Sequence, residues 1–250
     1  MTNLSRITKD EKALYLAYDH GLEHGPSDFP GKSVDPEYIL NLAVSGGYTA
    51  VILQKGVAEK YYAPYKDKVP LIMKLNGKTK LVDNEALSVQ ICSVKEAMEL
   101  GALAVGYTIY AGSKYEAVMF QEFSKIEEEA REKGLPIIAW VYPHGKNVKD
   151  ENSQEIVSYA ARVALELGAD IAKIKYCGSE DCFKKAVEAA GKTKVVLSGG
   201  IKTKTPEEFY DIVKNVMAAG AIGAAVGRNV WQNENALEIS KKLKEIIFGD

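Results

Sequence analysis

The sequence predicts an α/β fold, a single (β/α)8 TIM barrel spanning residues 1–250. Three observations predict it. One phrase recurs along the chain: a helix-like stretch ends in Gly, and a short apolar run follows within a few residues. It is written as Gly47 before TAVILQ, Gly101 before LAVGYT, Gly134 before PIIAWVY, Gly168 before DIAKIKY, Gly191 before KVVLS and Gly220 before IGAAVG. Gly just past a helix end is the usual left-handed cap, and an apolar run without clean alternation is what a strand covered on both faces looks like. Second, no Pro/Gly/Ser-rich linker divides the chain. Third, the turn after the first strand reads Asp19-His-Gly-Leu-Glu-His-Gly-Pro. That is the wrong chemistry for the G-x-G-x-x-G pyrophosphate turn that announces an open doubly wound sheet.

Taken in order, the first strand falls at 13–19 (ALYLAYD), the second after Gly47 and the third at 69–75 (VPLIMKL). Five more follow Gly101, Gly134, Gly168, Gly191 and Gly220, which completes eight. Amphipathic periodicity places the clearest helices at 115–133, 153–167, 205–219 and 233–247. In such a barrel functional residues lie at the carboxyl ends of the strands or in the loops just beyond them.

Composition narrows the partners. With 46% hydrophobic and 26% charged residues, the 250-residue chain is an ordinary globular sequence able to bury a large core. Its 32 basic and 34 acidic residues leave a formal charge of −2, so no global field draws it to nucleic acid or to an anionic membrane. Anion recognition must be local. Cys92, Cys177 and Cys182 are odd in number and unhelpfully spaced, which argues against a disulfide framework and for a reducing compartment. The amino terminus, MTNLSRITKDEK, has no signal-peptide core, and no apolar run reaches the length of a membrane span, so a cytoplasmic protein is expected.

The sixth strand reads Asp170-Ile-Ala-Lys-Ile-Lys-Tyr176, and period two puts Ile171, Lys173 and Lys175 on one face. A Lys near a strand end often snorkels to the rim or pairs with a carboxylate. Two on one barrel face suggest an imine-forming amine, because burial and a second cation both disfavour the protonated form. Lys173, the deeper of the two, is the candidate nucleophile; Lys175 suits lowering its pKa or holding an anion. The fifth strand ends in Trp140-Val-Tyr142-Pro-His144, where Tyr142 is a candidate general acid/base and Trp140 a core or substrate contact. The first ends in Tyr18-Asp19-His20, and Asp19 is either a turn cap or a partner for substrate hydroxyls or the imine.

His20-Gly-Leu-Glu23-His24 matches the letters of H-x-x-E-H, a zinc-peptidase signature. Gly21, Gly25 and Pro26 make it a post-strand loop rather than the helix that motif needs, so no metal is expected there. His144 could join the pair in a three-histidine site, which would leave the two lysines without a use. Ser198-Gly199-Gly200 after the seventh strand and Gly227-Arg228 after the eighth supply backbone amides, a helix start and a guanidinium for a phosphate.

The chain resembles the archaeal-type class I fructose-1,6-bisphosphate aldolases. The resemblance is carried by LAYDHGxEHGP (Leu16 to Pro26), KLNGKT (Lys74 to Thr79), VGYTIYxGS (Val105 to Ser113), YAARxALELGAD (Tyr159 to Asp170), KIKY, LSGGxKTKT and AVGRNVWQ, and runs from about residue 12 to the end. It implies reversible cleavage of fructose 1,6-bisphosphate to dihydroxyacetone phosphate and glyceraldehyde 3-phosphate through a lysine imine, with no metal or other cofactor. It makes Lys173 the Schiff-base lysine and Tyr142 the proton donor. Asp19, His20, His24, Trp140 to His144, Lys175, Ser198 to Gly200, Gly227 and Arg228 become substrate contacts. Where the family has Arg after Tyr-Pro, this chain has His144, a weaker ligand for the distal phosphate, and Lys146 is the substitute available. Higher homo-oligomers, decamers by resemblance, are implied, with Tyr61, Tyr62 and Tyr65 as candidate exposed apolar residues. Related lysine-imine enzymes acting on another sugar phosphate, one of them feeding aromatic biosynthesis, and a non-catalytic sugar-phosphate binding barrel are the competing functions.

Overall fold

A computed structural model describes residues 2–82 and 86–249. Eight parallel strands close into a barrel: β1 Ala13–Tyr18, β2 Ala50–Gln54, β3 Leu71–Lys74, β4 Ala102–Ile109, β5 Ile137–Val141, β6 Ile171–Ile174, β7 Lys194–Ser198 and β8 Gly223–Val226. Each pairs with the next in chain order, and β8 returns to β1 with Ala13 opposite Gly223. The outer layer comprises α1 Pro36–Ser45, α2 Lys55–Val57, α3 Val94–Glu99, α4 Glu116–Glu132, α5 Gln154–Glu166, α6 Glu180–Ala190, α7 Pro206–Ala218, α8 Arg228–Trp231 and α9 Ala236–Phe248. The four helices placed by periodicity match α4, α5, α7 and α9 to within a few residues. No helix among the described residues is long and apolar enough to cross a membrane.

Local chemistry explains the boundaries. All six glycines of the recurring phrase carry positive φ, from 59° to 94°, a conformation in which a Cβ is strained. Helix starts are capped by side chains: Ser93, Ser153, Ser179 and Thr205 each accept a hydrogen bond from the backbone three residues on, and Pro206 occupies the first turn of α7.

Two apolar layers result. Outward-facing strand residues pack under the helices in one large cluster. Inside the barrel, Tyr15, Ala17, Ile52, Ile72, Ala104, Ile138, Trp140, Ile171, Val196 and Ala225 fill the bore. Trp140 fits because its ring lies over Gly106 of β4; a Cβ there would lie 1.5 Å from the indole ring. Period two then carries the inward face upward, from Ala17 to Asp19, Ile72 to Lys74, Ile171 to Lys173 and Val196 to Ser198. Thus an apolar plug ends in a ring of polar side chains at the carboxyl-terminal mouth.

Three expectations are corrected. Cys177 and Cys182 form a disulfide with a Cα–Cα separation of 6.0 Å, and buried Cys92 is the free thiol. The first turn of α6, begun by its Ser179 cap, folds Cys182 back toward Cys177, and an odd cysteine count does not forbid one bridge. Tyr62 and Tyr65 are buried rather than exposed, their hydroxyls donating to the Val69 carbonyl at 2.7 Å and to Asn41 Oδ1 at 3.1 Å. Finally, Gly21–His24 is one helical turn rather than irregular loop, closed by the Gly25 amide on the Gly21 carbonyl.

Candidate active site

The mouth opens into a cavity of about 770 Å³, and every residue predicted from the strand ends lines it. Lys173 stands at its floor. It is 5% exposed, it is the register partner of Trp140 across β5 and β6, and its Nζ lies 4.9 Å from the centre of that indole. Burial lowers the pKa of this ammonium to about 8, helped by Lys74 and opposed by the carboxylate of Asp19. A fraction of free amine therefore exists near neutral pH.

Asp19, 5% exposed, pairs through Oδ2 with Lys74 Nζ at 3.3 Å, and Lys74 is itself 2% exposed, at the end of β3. Burial pushes the Asp19 carboxyl up, but Lys74, Lys173 and His20 more than compensate and hold it at about 2. The cation expected beside Lys173 was Lys175; the structure supplies Lys74 instead. Lys175 sits outside this shell, past the end of β6, and is bound to Glu151, which also takes Nδ1 of His144 at 2.8 Å. Sequence reading missed Lys74 and Glu151 because neither partner is near in sequence. The period-two step from Ile72 to Lys74 was the available signal for the first.

Tyr142 on the β5 side shares a 3.0 Å hydrogen bond with Ser198 Oγ at the end of β7. Burial raises its phenol pKa well beyond the ordinary value, so it is a protonated donor at working pH. Across the mouth, Tyr110 donates to Glu23 Oε1 at 2.9 Å. His20 is stacked against Phe29 and Trp231, with ring centroids at 5.2 and 5.5 Å. Burial, with the cations around it, lowers His20 to about 4, leaving it neutral near pH 7. His24 and Arg228 converge on Asp28, at 3.4 and 3.2 Å, and Arg228 also donates to the Gly200 carbonyl at 3.1 Å.

These distances decide what the mouth offers. The three histidines do not meet, since His20 and His24 face Asp28 while His144 turns to Glu151. Among the described residues no three His, Cys, Asp or Glu side chains converge as metal ligands. Of the post-strand glycines, Gly199 already donates its amide to the Ala225 carbonyl at 2.9 Å, so it shapes the loop rather than offering a donor. Lys146 is exposed and outside the cavity lining, whereas His144 is in it. What remains is a buried, partly deprotonated amine, a fixed carboxylate and a phenol donor, with Arg228 to one side.

The profile of the DeoC/LacD family aldolases matches residues 13–233. The fructose-bisphosphate aldolase class 1 of Thermoproteus tenax is 54% identical over 240 residues, 95% of this chain and 90% of that protein. The chain belongs to this aldolase family. The class 1 aldolase of Halobacterium salinarum is 46% identical over 98% of this chain and 94% of its own length. A Methanocaldococcus jannaschii relative, named fructose-bisphosphate aldolase/6-deoxy-5-ketofructose 1-phosphate synthase, is 40% identical over 92% of this chain and 79% of its own. A solved archaeal fructose-1,6-bisphosphate aldolase, with its catalytic Lys covalently bound to the carbinolamine intermediate of the substrate, superposes with a TM-score of 0.95. It shares 52% identity, and 98% of each chain is covered. The family and the barrel expected from the sequence thus hold.

Proposed function

We propose that this chain cleaves fructose 1,6-bisphosphate reversibly to dihydroxyacetone phosphate and glyceraldehyde 3-phosphate through an imine on Lys173. The observation that carries the reading is the buried Lys173 amine, with a pKa lowered to about 8, at the floor of a cavity lined by Asp19 and Tyr142. The amine lone pair attacks the substrate ketone to give a carbinolamine, and loss of water leaves an iminium. Electrons of the C3–C4 bond then flow into the iminium as the Tyr142 phenolate, formed when its proton leaves with that water, takes the C4 hydroxyl proton. The aldehyde departs, and protonation of the enamine at C3 followed by addition of water frees dihydroxyacetone phosphate and the Lys173 amine. Tyr142 moves protons at the reacting centre, and Asp19 orients hydroxyls. Arg228, Gly200 and Gly227 hold one phosphate; Lys175 and His144 face the other. His20, His24, Trp140 and Ser198 complete the contacts, and holding both ends keeps the scissile bond over the iminium.

Borohydride reduction with dihydroxyacetone phosphate tests this reading. The wild-type chain is expected to lose activity with a stable adduct on Lys173, and Lys173→Ala to be immune; an adduct on Lys175 overturns the assignment. The dual name of the Methanocaldococcus jannaschii relative makes a second sugar phosphate the runner-up. Turnover of fructose 1,6-bisphosphate in both directions decides between the two. Assembly into a homo-oligomer, a decamer by resemblance, corresponds to ten times 27.3 kDa by light scattering. A cytoplasmic location goes with a sugar-phosphate substrate, and cell fractionation tests it.

A further inference from the structure

Lys74, the first residue of KLNGKT, takes no part in the chemistry proposed above. Lys74 is 2% exposed, in a barrel bore that is otherwise apolar below it. A desolvated ammonium is costly at such a place unless something requires it. Its Nζ reaches Asp19 Oδ2 at 3.3 Å and lies 5.5 Å from the centre of the Trp140 ring. Lys173 lies 4.9 Å from that same ring centre. Two ammonium groups therefore share one indole, both act electrostatically on the Asp19 carboxylate, and the ion pair is made by the lysine that is not the proposed nucleophile.

Charge arrangement gives this consequence. If Asp19 had Lys173 as its sole cation, the pair would hold the amine protonated and unreactive. Lys74 claims the carboxylate, fixes its position between β1 and β3, and adds a like charge beside Lys173. The other titratable groups facing the pair are His20 and Glu23 from the segment after β1, Tyr110 after β4, Tyr142 after β5 and Lys175 after β6. His20 is held neutral by burial, and Lys175 is occupied by Glu151. Gln54, from β2, is uncharged and bonds to the Asp19 and Asn76 carbonyls.

We infer that Lys74 is a positioning residue for imine formation, holding Asp19 in place and away from exclusive pairing with Lys173. The inference rests on the imine reading of Lys173, and the experiment separates the two. Borohydride trapping by dihydroxyacetone phosphate is measured against pH in the wild-type chain and in Lys74→Met. Absence of trapping in the wild type defeats the imine reading itself. With trapping present, Lys74→Met should move the half-maximal pH upward by about one unit and slow trapping near pH 7 about tenfold. The rate should recover above the new midpoint. An unchanged midpoint, or an equal loss at every pH, overturns the role of Lys74.

Should the carboxylate stranded by Lys74→Met unfold the chain, Lys74→Gln replaces it, since its amide can donate to Asp19 without carrying a charge. The midpoint should again lie higher than in the wild-type chain; an unchanged midpoint overturns the inference.

Discussion

Tyr142 is held by a single hydroxyl partner, Ser198 at the end of β7, two strands along the barrel, and its raised pKa keeps the proton on oxygen. Tyr142→Phe keeps the ring and removes that proton. It should lower kcat by about 10²- to 10⁴-fold with little change in KM, as expected for a group that moves a proton in the transition state. A loss confined to KM in steady-state kinetics would reassign Tyr142 to binding. Arg228→Ala should instead raise KM for the bisphosphate, and an unchanged KM would remove Arg228 from the phosphate grip. Lys173, Asp19 and Tyr142 were legible in the sequence because strand periodicity and position decide which side chains face the mouth. Lys74 was less so, since its significance lies in an ion pair across 55 residues of chain that no local pattern encodes.

At the scale of elements, the recurring Gly and the apolar run after it sufficed to place six of the eight strands, because both are local requirements of a helix end and a doubly covered strand; the first and third were placed by their apolar runs alone. What escaped was any feature created by one element folding back on its neighbour. The Cys177–Cys182 bridge is such a feature: it ties the segment just past β6 to the first turn of α6, while Cys177 and Gly178 line the cavity. Closing so short a loop restricts the unfolded chain by about 2 kcal/mol on the chain-entropy account. Reduction, or Cys182→Ser, should therefore lower Tm by roughly 4–8 °C for a chain of this size. Scanning calorimetry with and without reductant measures it, and an unchanged Tm would mean that the capped start of α6 orders this segment alone. The helical turn Gly21–His24 escaped for a related reason: its glycines argue for loop, but His20 is packed against Phe29 and Trp231, and Trp231 comes from the far end of the chain.

Across the whole molecule the apolar bore and the charged mouth oppose each other energetically. The bore is continuous from Tyr15 to Trp140, and seating two ammonium groups on top of it works against folding. For Lys173 the sign is definite. Its folded pKa, about 8, lies below the ordinary value near 10.4, so between those values the unfolded chain binds the proton and the folded chain does not. Stability thus rises as pH climbs from 8 toward 10.4, and below 8 the full penalty is present, on the order of 3 kcal/mol. Asp19 works the other way: its pKa, held at about 2, contributes stability above about pH 4 that is lost as pH falls through 2. Lys173→Met fills the same space without the charge and leaves Asp19 its partner Lys74. The variant should be catalytically dead yet melt several degrees above the wild-type chain at pH 7, with the gap closing as pH approaches 10.4. Melting curves for both chains from pH 6 to pH 10 decide it. A Lys173→Met chain less stable than wild type at pH 7 would mean that the ammonium is solvated or paired in a way the barrel geometry does not express.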